Sequence, residues 1–130
     1  ALHDLAGHML PLHGLKVAFT PAERPLNLDE KANIHIFRAT RELLINVAKH
    51  AKVKECSVSV THQDHQVCVT VEDKGCGFAA PLEARGPTRG GFGLFGIRER
   101  IKTIDGDLAI ETTAGQGTRA TISVPIPAAP

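Results

Sequence analysis

The apolar residues of this 130-residue chain change period near residue 52. Upstream, Ile36, Leu43, Leu44, Val47 and Ala51 share one side at about 3.6 residues per turn. That spacing predicts one long helix, starting after Asn27 or Asp29 and running to about Ala51. Downstream, residues 55–61 and 66–71 alternate apolar and polar, as half-buried strands do, and the polar link HQDH between them reads as a hairpin turn. A striped helix and a one-faced sheet bury their apolar sides against each other. The rest of the chain fits that scheme. Leu2, Leu5, Ala6, Met9 and Leu10 predict a helix over residues 1–13, stopped at Gly14. Residues 15–19 predict a short strand, and TPAERPLN is a Pro-punctuated loop. A glycine-rich loop over residues 73–93 leads to a helix over 94–104, and strands over 108–112 and 119–124 flank the turn TAGQG. The expected class is α+β: a two-layer α/β sandwich with a mixed, largely antiparallel sheet covered on one face by helices. One domain over residues 1–126 and a tail over 127–130 account for the length.

Composition removes several function classes. Fifteen Lys and Arg against fourteen Asp and Glu leave a net charge of +1, which gives no electrostatic reason to expect nucleic acid or a membrane surface as a partner. The only aromatic residues are five Phe, so base-stacking platforms are not expected. No run of 18 apolar residues exists to span a bilayer, and no signal peptide opens the chain. Cys56, Cys68 and Cys76 are odd in number and fit no zinc spacing, which suits a reducing compartment. The chain begins at Ala1 and its one Met is Met9, which suggests a domain of a longer protein.

Four stretches can carry chemistry. On the long helix, Glu42, Asn46, Lys49 and His50 fall within roughly a 100° arc, expected opposite Leu43, Val47 and Ala51. A carboxylate there can act as a base or hold water on a metal, and an amide oxygen suits Mg²⁺. Lys and His can approach phosphate oxygens. A plain solvated face would look the same. Second, Asp73 follows an apolar alternating run, with Gly75 and Gly77 at steps of two. A carboxylate can accept from an exocyclic amine, and glycine lets backbone pass close to a flat ligand. An ordinary Asp-x-Gly turn fits equally well. Third, Gly90-Gly91-Phe92-Gly93-Leu94-Phe95-Gly96-Ile97 precedes a helix, where free N–H groups and the helix dipole favour phosphate. It lacks the Gly-Lys-Ser/Thr of a Walker A loop. Fourth, Gly115-Gln116-Gly117-Thr118 reads as a glycine hairpin whose Thr118 could reach a ligand.

In this order, Glu-x-x-x-Asn, Asp-x-Gly-x-Gly, Gly-x-Gly-Leu-x-Gly and Gly-x-Gly-Thr resemble the N, G1, G2 and G3 boxes of the GHKL ATPase superfamily. That superfamily has the Bergerat nucleotide-binding fold and includes histidine kinases, gyrase B, Hsp90 and MutL. The likeness runs from the first helix to Val124. The strings ELLINVAKHAKV and GLFGIRERI look like catalytic domains of sensor histidine kinases, and most like the NarX/DesK-like branch. The short stretch between Phe78 and Gly90 and the string Arg98-Glu99-Arg100 also fit that branch.

The resemblance implies ATP and Mg²⁺ as cofactors. It implies that Asp73 binds the adenine amine, with Gly75 and Gly77 shaping the pocket and Thr118 supporting the adenine end. Asn46 would coordinate Mg²⁺, Glu42 would be the acidic catalytic residue of the N box, a candidate general base or water-mediated metal contact, and Lys49 and His50 would face the phosphates. Gly91, Gly93, Leu94 and Gly96 would form the phosphate-facing end of the ATP lid. The reaction implied is transfer of the γ-phosphate to a histidine on a separate dimerisation domain, and then to an aspartate of a response regulator. The parent protein would be a homodimer. This domain would be cytoplasmic, without direct membrane contact, whether or not the parent is anchored in the membrane. Isolated, it would be monomeric and have little activity. The alternative within the fold is a protein serine kinase of the anti-sigma-factor class.

Leu2-His3-Asp4 imitates the phosphoacceptor pattern of the branch. The segment from His3 to the N box is too short for a two-helix hairpin, since a helix rises only about 1.5 Å per residue, and it carries the domain's own first helix and strand. His8, His13 and His35 read as helix residues, and His62 and His65 as turn residues. Cys76 reads as a small structural residue in the glycine loop.

Overall fold

Asp29 starts the long helix by accepting a hydrogen bond on Oδ1 from the Ala32 N–H at 2.7 Å, which satisfies one of the free donors of the first turn. The helix, α2, runs over Glu30–His50. In this computed structural model, residues 2–23, 28–50, 54–63, 65–74, 92–113 and 117–125 are described. Helix α1 spans Leu2–His13 and strand β1 spans Lys16–Thr20. Strands β2, Glu55–Gln63, and β3, Gln66–Asp73, follow α2. Helix α3 covers Phe92–Lys102, and strands β4, Asp107–Thr113, and β5, Gly117–Pro125, complete the order.

The five strands form one sheet in the order β1-β2-β3-β5-β4. Only β1 and β2 run parallel, as expected for strands joined through a helix, and the other three pairings are antiparallel. Alternation sends Val58, Val60, Val67, Val69, Val71, Ala120, Ile122 and Val124 to one face, where each is buried. Leu5 and Met9 of α1, Ile36, Leu43, Leu44 and Val47 of α2, and Ile97 and Ile101 of α3 join them in one core. The other face carries Ser57, Ser59, Cys68, Thr70, Thr121 and Ser123, all half-buried. This is the two-layer α+β arrangement expected from the change of period.

Several boundaries differ from the expectation, β2 for one running on to Gln63, and three have a clear local reason. Gly14 does end α1, with φ 68° and its N–H donating to the Leu10 carbonyl at 2.9 Å. Leu15, however, lies buried just ahead of β1 and not in it. Helix α3 stops at Lys102, because Thr103, Ile104 and Asp105 tighten to bonds three residues back, onto Arg100, Ile101 and Lys102. Strand β3 extends past Val71, because Glu72 and Asp73 still pair with Arg119 and Thr118 of β5. Residues 24–27, 51–53, 64, 75–91, 114–116 and 126–130 lie outside the described residues. These include Ala51, Asp64, Cys76, most of the glycine loop and the whole tail.

Candidate functional site

Asp73 is the last residue of β3 and only 4% exposed. A carboxylate is rarely so buried without a task, because desolvating its charge is costly. It lies on the helix-covered face, in the same alternation as Val69 and Val71. Its cross-strand partner is Thr118, the second residue of β5. A cavity of about 260 Å³ opens at this sheet end, lined by Glu55, Cys56, Ser57, Glu72, Asp73 and Lys74. Cys56 is buried beside Asp73. Burial first, and the Asp73 charge second, push its thiol up to about 12. At neutral pH the thiol therefore stays neutral.

Gly117 makes this arrangement possible. Its φ is 105°, and a Cβ there would meet the Asp73 carbonyl and lie 2.8 Å from Lys74 Cα. Only glycine lets the start of β5 pass so close to the end of β3. The hairpin expected from TAGQG is thus also a packing device under Asp73 and Thr118.

Helix α2 brings the second group of residues. The chain from His50 to Lys54 can span only about 14 Å, so the C-terminal end of α2 stays near the start of β2. That strand start lies beside the end of β3, since Ser57 pairs with Glu72. Topology therefore holds the Asn46 end of α2 and Asp73 at one end of the sheet. Glu42 and Asn46 are half-buried and Lys49 is exposed. This corrects the expectation that the four polar residues lie opposite the apolar side. Ala39 is buried as well as Leu43 and Val47, so the core stripe is wider than its large residues suggest, and Glu42 and Asn46 flank it.

Helix α3 is fixed on two sides by the Arg98-Glu99-Arg100 string. Arg98 Nη2 donates to the Leu108 carbonyl of β4 at 2.8 Å. Arg100 Nη2 donates to Glu42 Oε2 in a charge-assisted bond between α3 and α2. Two residues apart on a helix means roughly opposite sides, so the two guanidiniums clamp α3 between the sheet and α2. Gly96 of α3 has nothing within 4 Å of where a Cβ would stand, so packing does not demand glycine there. Gly93 and Leu94 lie in the first turns of α3, and His50 ends α2. Gly75, Gly77 and Gly91 lie outside the described residues.

Of the expected site residues, the structure brings Asp73 and Thr118 into register and sets Glu42 and Asn46 one turn apart on α2. Three contributors carried no role in the sequence reading: Arg100, Arg98 and Cys56. The spacing of the two arginines held a signal for a two-sided clamp. Nothing in the sequence marked Cys56 as a neighbour of Asp73.

A family model for histidine kinase-, DNA gyrase B-, and HSP90-like ATPases matches residues 31–128. The chain belongs to that family, whose members bind ATP. Among solved structures, the blue-light activated histidine kinase of Erythrobacter litoralis EL346 superposes with a TM-score of 0.75 at 22% identity, covering 96% of this chain and 40% of that one. The separate histidine kinase domain of that protein gives the same TM-score and identity, with 59% of its length covered. The histidine kinase AdeS of Acinetobacter baumannii gives 0.78 at 16% identity, covering 98% of this chain and 64% of that one. The chain therefore spans less than two thirds of each of these proteins. At such identities the likeness is one of fold.

Proposed function

We propose that this chain is the ATP-binding catalytic domain of a sensor histidine kinase, of the NarX/DesK-like branch. The observation that carries the reading is the buried Asp73 carboxylate at the cavity end of β3, set in register with Thr118 inside a fold shared with histidine kinases. The resemblance of the Arg98-Glu99-Arg100 string supports the branch.

In this reading Asp73 accepts from the exocyclic amine of adenine, directly and through water, and Thr118 supports the same end. The triphosphate would run toward α2, where the resemblance gives Lys49 and His50 as its contacts. Glu42 and Asn46 offer hard oxygen donors one turn apart on the half-buried flank of α2, a donor set that fits Mg²⁺. When bound, the ion neutralises charge on the phosphate oxygens. Asn46 is the residue that would hold it. By the same resemblance Gly91, Gly93, Leu94 and Gly96 would border the phosphates.

A histidine of a separate dimerisation domain attacks the γ-phosphorus. A nitrogen–phosphorus bond forms, the bond to the bridging oxygen breaks, and ADP leaves. Catalysis rests on positioning and charge neutralisation. The phosphoryl group then passes to an aspartate of a response regulator. The parent would be a homodimer, and a domain that consumes ATP and carries unpaired cysteines belongs in the cytoplasm. Among the described residues, no helix is long and apolar enough to cross a membrane.

Calorimetric titration with Mg-ATP tests the binding step, and saturable one-to-one binding is expected. Incubation with the parent's dimerisation domain and radiolabelled ATP tests the chemistry. Label should appear on that domain as an acid-labile, base-stable phosphohistidine. Acid-stable phosphoserine on a partner protein would replace the reading with the serine-kinase alternative.

A further inference from the structure

Arg100 lies outside the four sequence boxes, yet it is the residue bound to Glu42. We infer that Arg100 is a positioning residue for phosphoryl transfer: its guanidinium orients the Glu42 carboxylate toward the metal-bearing end of the nucleotide. The inference rests on the ATP-binding reading given above.

The side chains of Arg100 and Glu42 are 39% and 34% exposed, so the pair is half-buried between α3 and α2. One carboxylate oxygen, Oε2, is committed to Arg100 Nη2. Asn46 follows one turn along the same helix flank, toward the cavity end of the sheet. A carboxylate with one oxygen on a guanidinium keeps the other oxygen for a second donor, such as a metal-bound water. Arg98 holds the other side of α3 to the sheet, through the Leu108 carbonyl. The Arg100 Nε is buried with no hydrogen-bond partner, so the guanidinium is placed here by its hold on Glu42 and not by a full set of structural bonds. Its role is that of the outer partners that aim metal ligands.

The test is ATP binding by this chain in Mg²⁺ and in EDTA, for wild type, Arg100→Met, Arg100→Lys, Glu42→Gln and the Arg100→Met/Glu42→Gln double variant. Arg100→Met should raise the Kd in Mg²⁺ roughly tenfold and leave the Kd in EDTA within about twofold. Arg100→Lys keeps the charge and should fall between Arg100→Met and wild type. The double variant should be no worse than Glu42→Gln alone, because both changes remove one interaction. Arg98→Met, which removes the other side of the clamp, should lower the melting temperature and leave the Mg²⁺-to-EDTA ratio unchanged. Equal weakening in both conditions, an additive double variant, or the same ratio change for Arg98→Met would overturn the assignment. A wild-type chain that binds ATP in neither condition would overturn the ATP-binding reading as well, so the two failures are distinguishable.

Discussion

The Cα of Gly117 faces the backbone carbonyl of Asp73 across the β3–β5 pair, with no room between them for a methyl group. The φ of 105° at Gly117 adds a second demand for glycine. Gly117→Ala therefore has to strain the backbone or push β5 away from the end of β3. The expected cost is about 3 kcal/mol, read as a lower midpoint in urea unfolding. Thr118 and Asp73 would also lose their register, so ATP affinity should fall in the same variant. A variant with the wild-type midpoint would show that the close approach does not persist in solution.

Asp73→Asn tests the site without touching the backbone. The asparagine keeps one acceptor oxygen but loses the charge and presents an N–H₂ group. If that group faces an exocyclic amine, two donors are set against each other in a buried place. A hydrogen bond to a charged group contributes about 1.5–3 kcal/mol, so the Kd for ATP should rise at least about tenfold. Titration calorimetry on the two proteins decides it. Matching curves would remove Asp73 from the adenine site.

The start of α2 offers a change that is separable from the site. Asp29 Oδ1 caps Ala32 N–H at 2.7 Å, at the end of the helix remote from Asn46. Asp29→Ala should cost about 1 kcal/mol of stability and leave the Kd for ATP unchanged. Urea unfolding with a parallel nucleotide titration checks both halves. A loss of affinity equal to that of Asp73→Asn would mean that the helix start and the site are coupled.

Much of this architecture was legible before any coordinates, and the limit has a physical origin. Period reads burial directly, so the stripe of Ile36, Leu43 and Val47 and the alternation of the β2–β3 hairpin gave the layers. Asp73 stood out because a carboxylate ended an apolar run before Gly75. Pairing partners are different. The register of Asp73 with Thr118 spans 45 residues of sequence, and nothing local encodes it. The reach of Arg100 to Glu42 spans 58 residues, and an arginine on a short helix looks like any solvated charge until its neighbour is known. The partial burial of Glu42 and Asn46 escaped notice because small residues such as Ala39 widen a buried stripe without announcing it.

Cys56 supplies a pH prediction whose sign follows from its position. Burial and the nearby Asp73 carboxylate push the thiol up from 9.0 to about 12. The folded state therefore holds its proton through a range where the unfolded chain releases it. A raised folded value adds stability that is full below the unfolded pKa and declines as pH climbs toward the folded one. Wild-type stability should accordingly fall between pH 9 and 12 with a component that Cys56→Ala lacks. Other groups titrate in that range too, so the quantity to compare is the difference between the two proteins at pH 8 and pH 10.5, from urea unfolding. The gap in stability should narrow as pH rises, because only the wild type has a thiolate to bury. A constant gap would mean that the thiol is not shielded at the cavity wall. Alkylation gives an independent check, since the thiolate is the nucleophile. With iodoacetamide at pH 8 and peptide mapping, half-buried Cys68 should label before buried Cys56. Faster labelling of Cys56 would place its sulfur in solvent and remove it from the shielded wall beside Asp73.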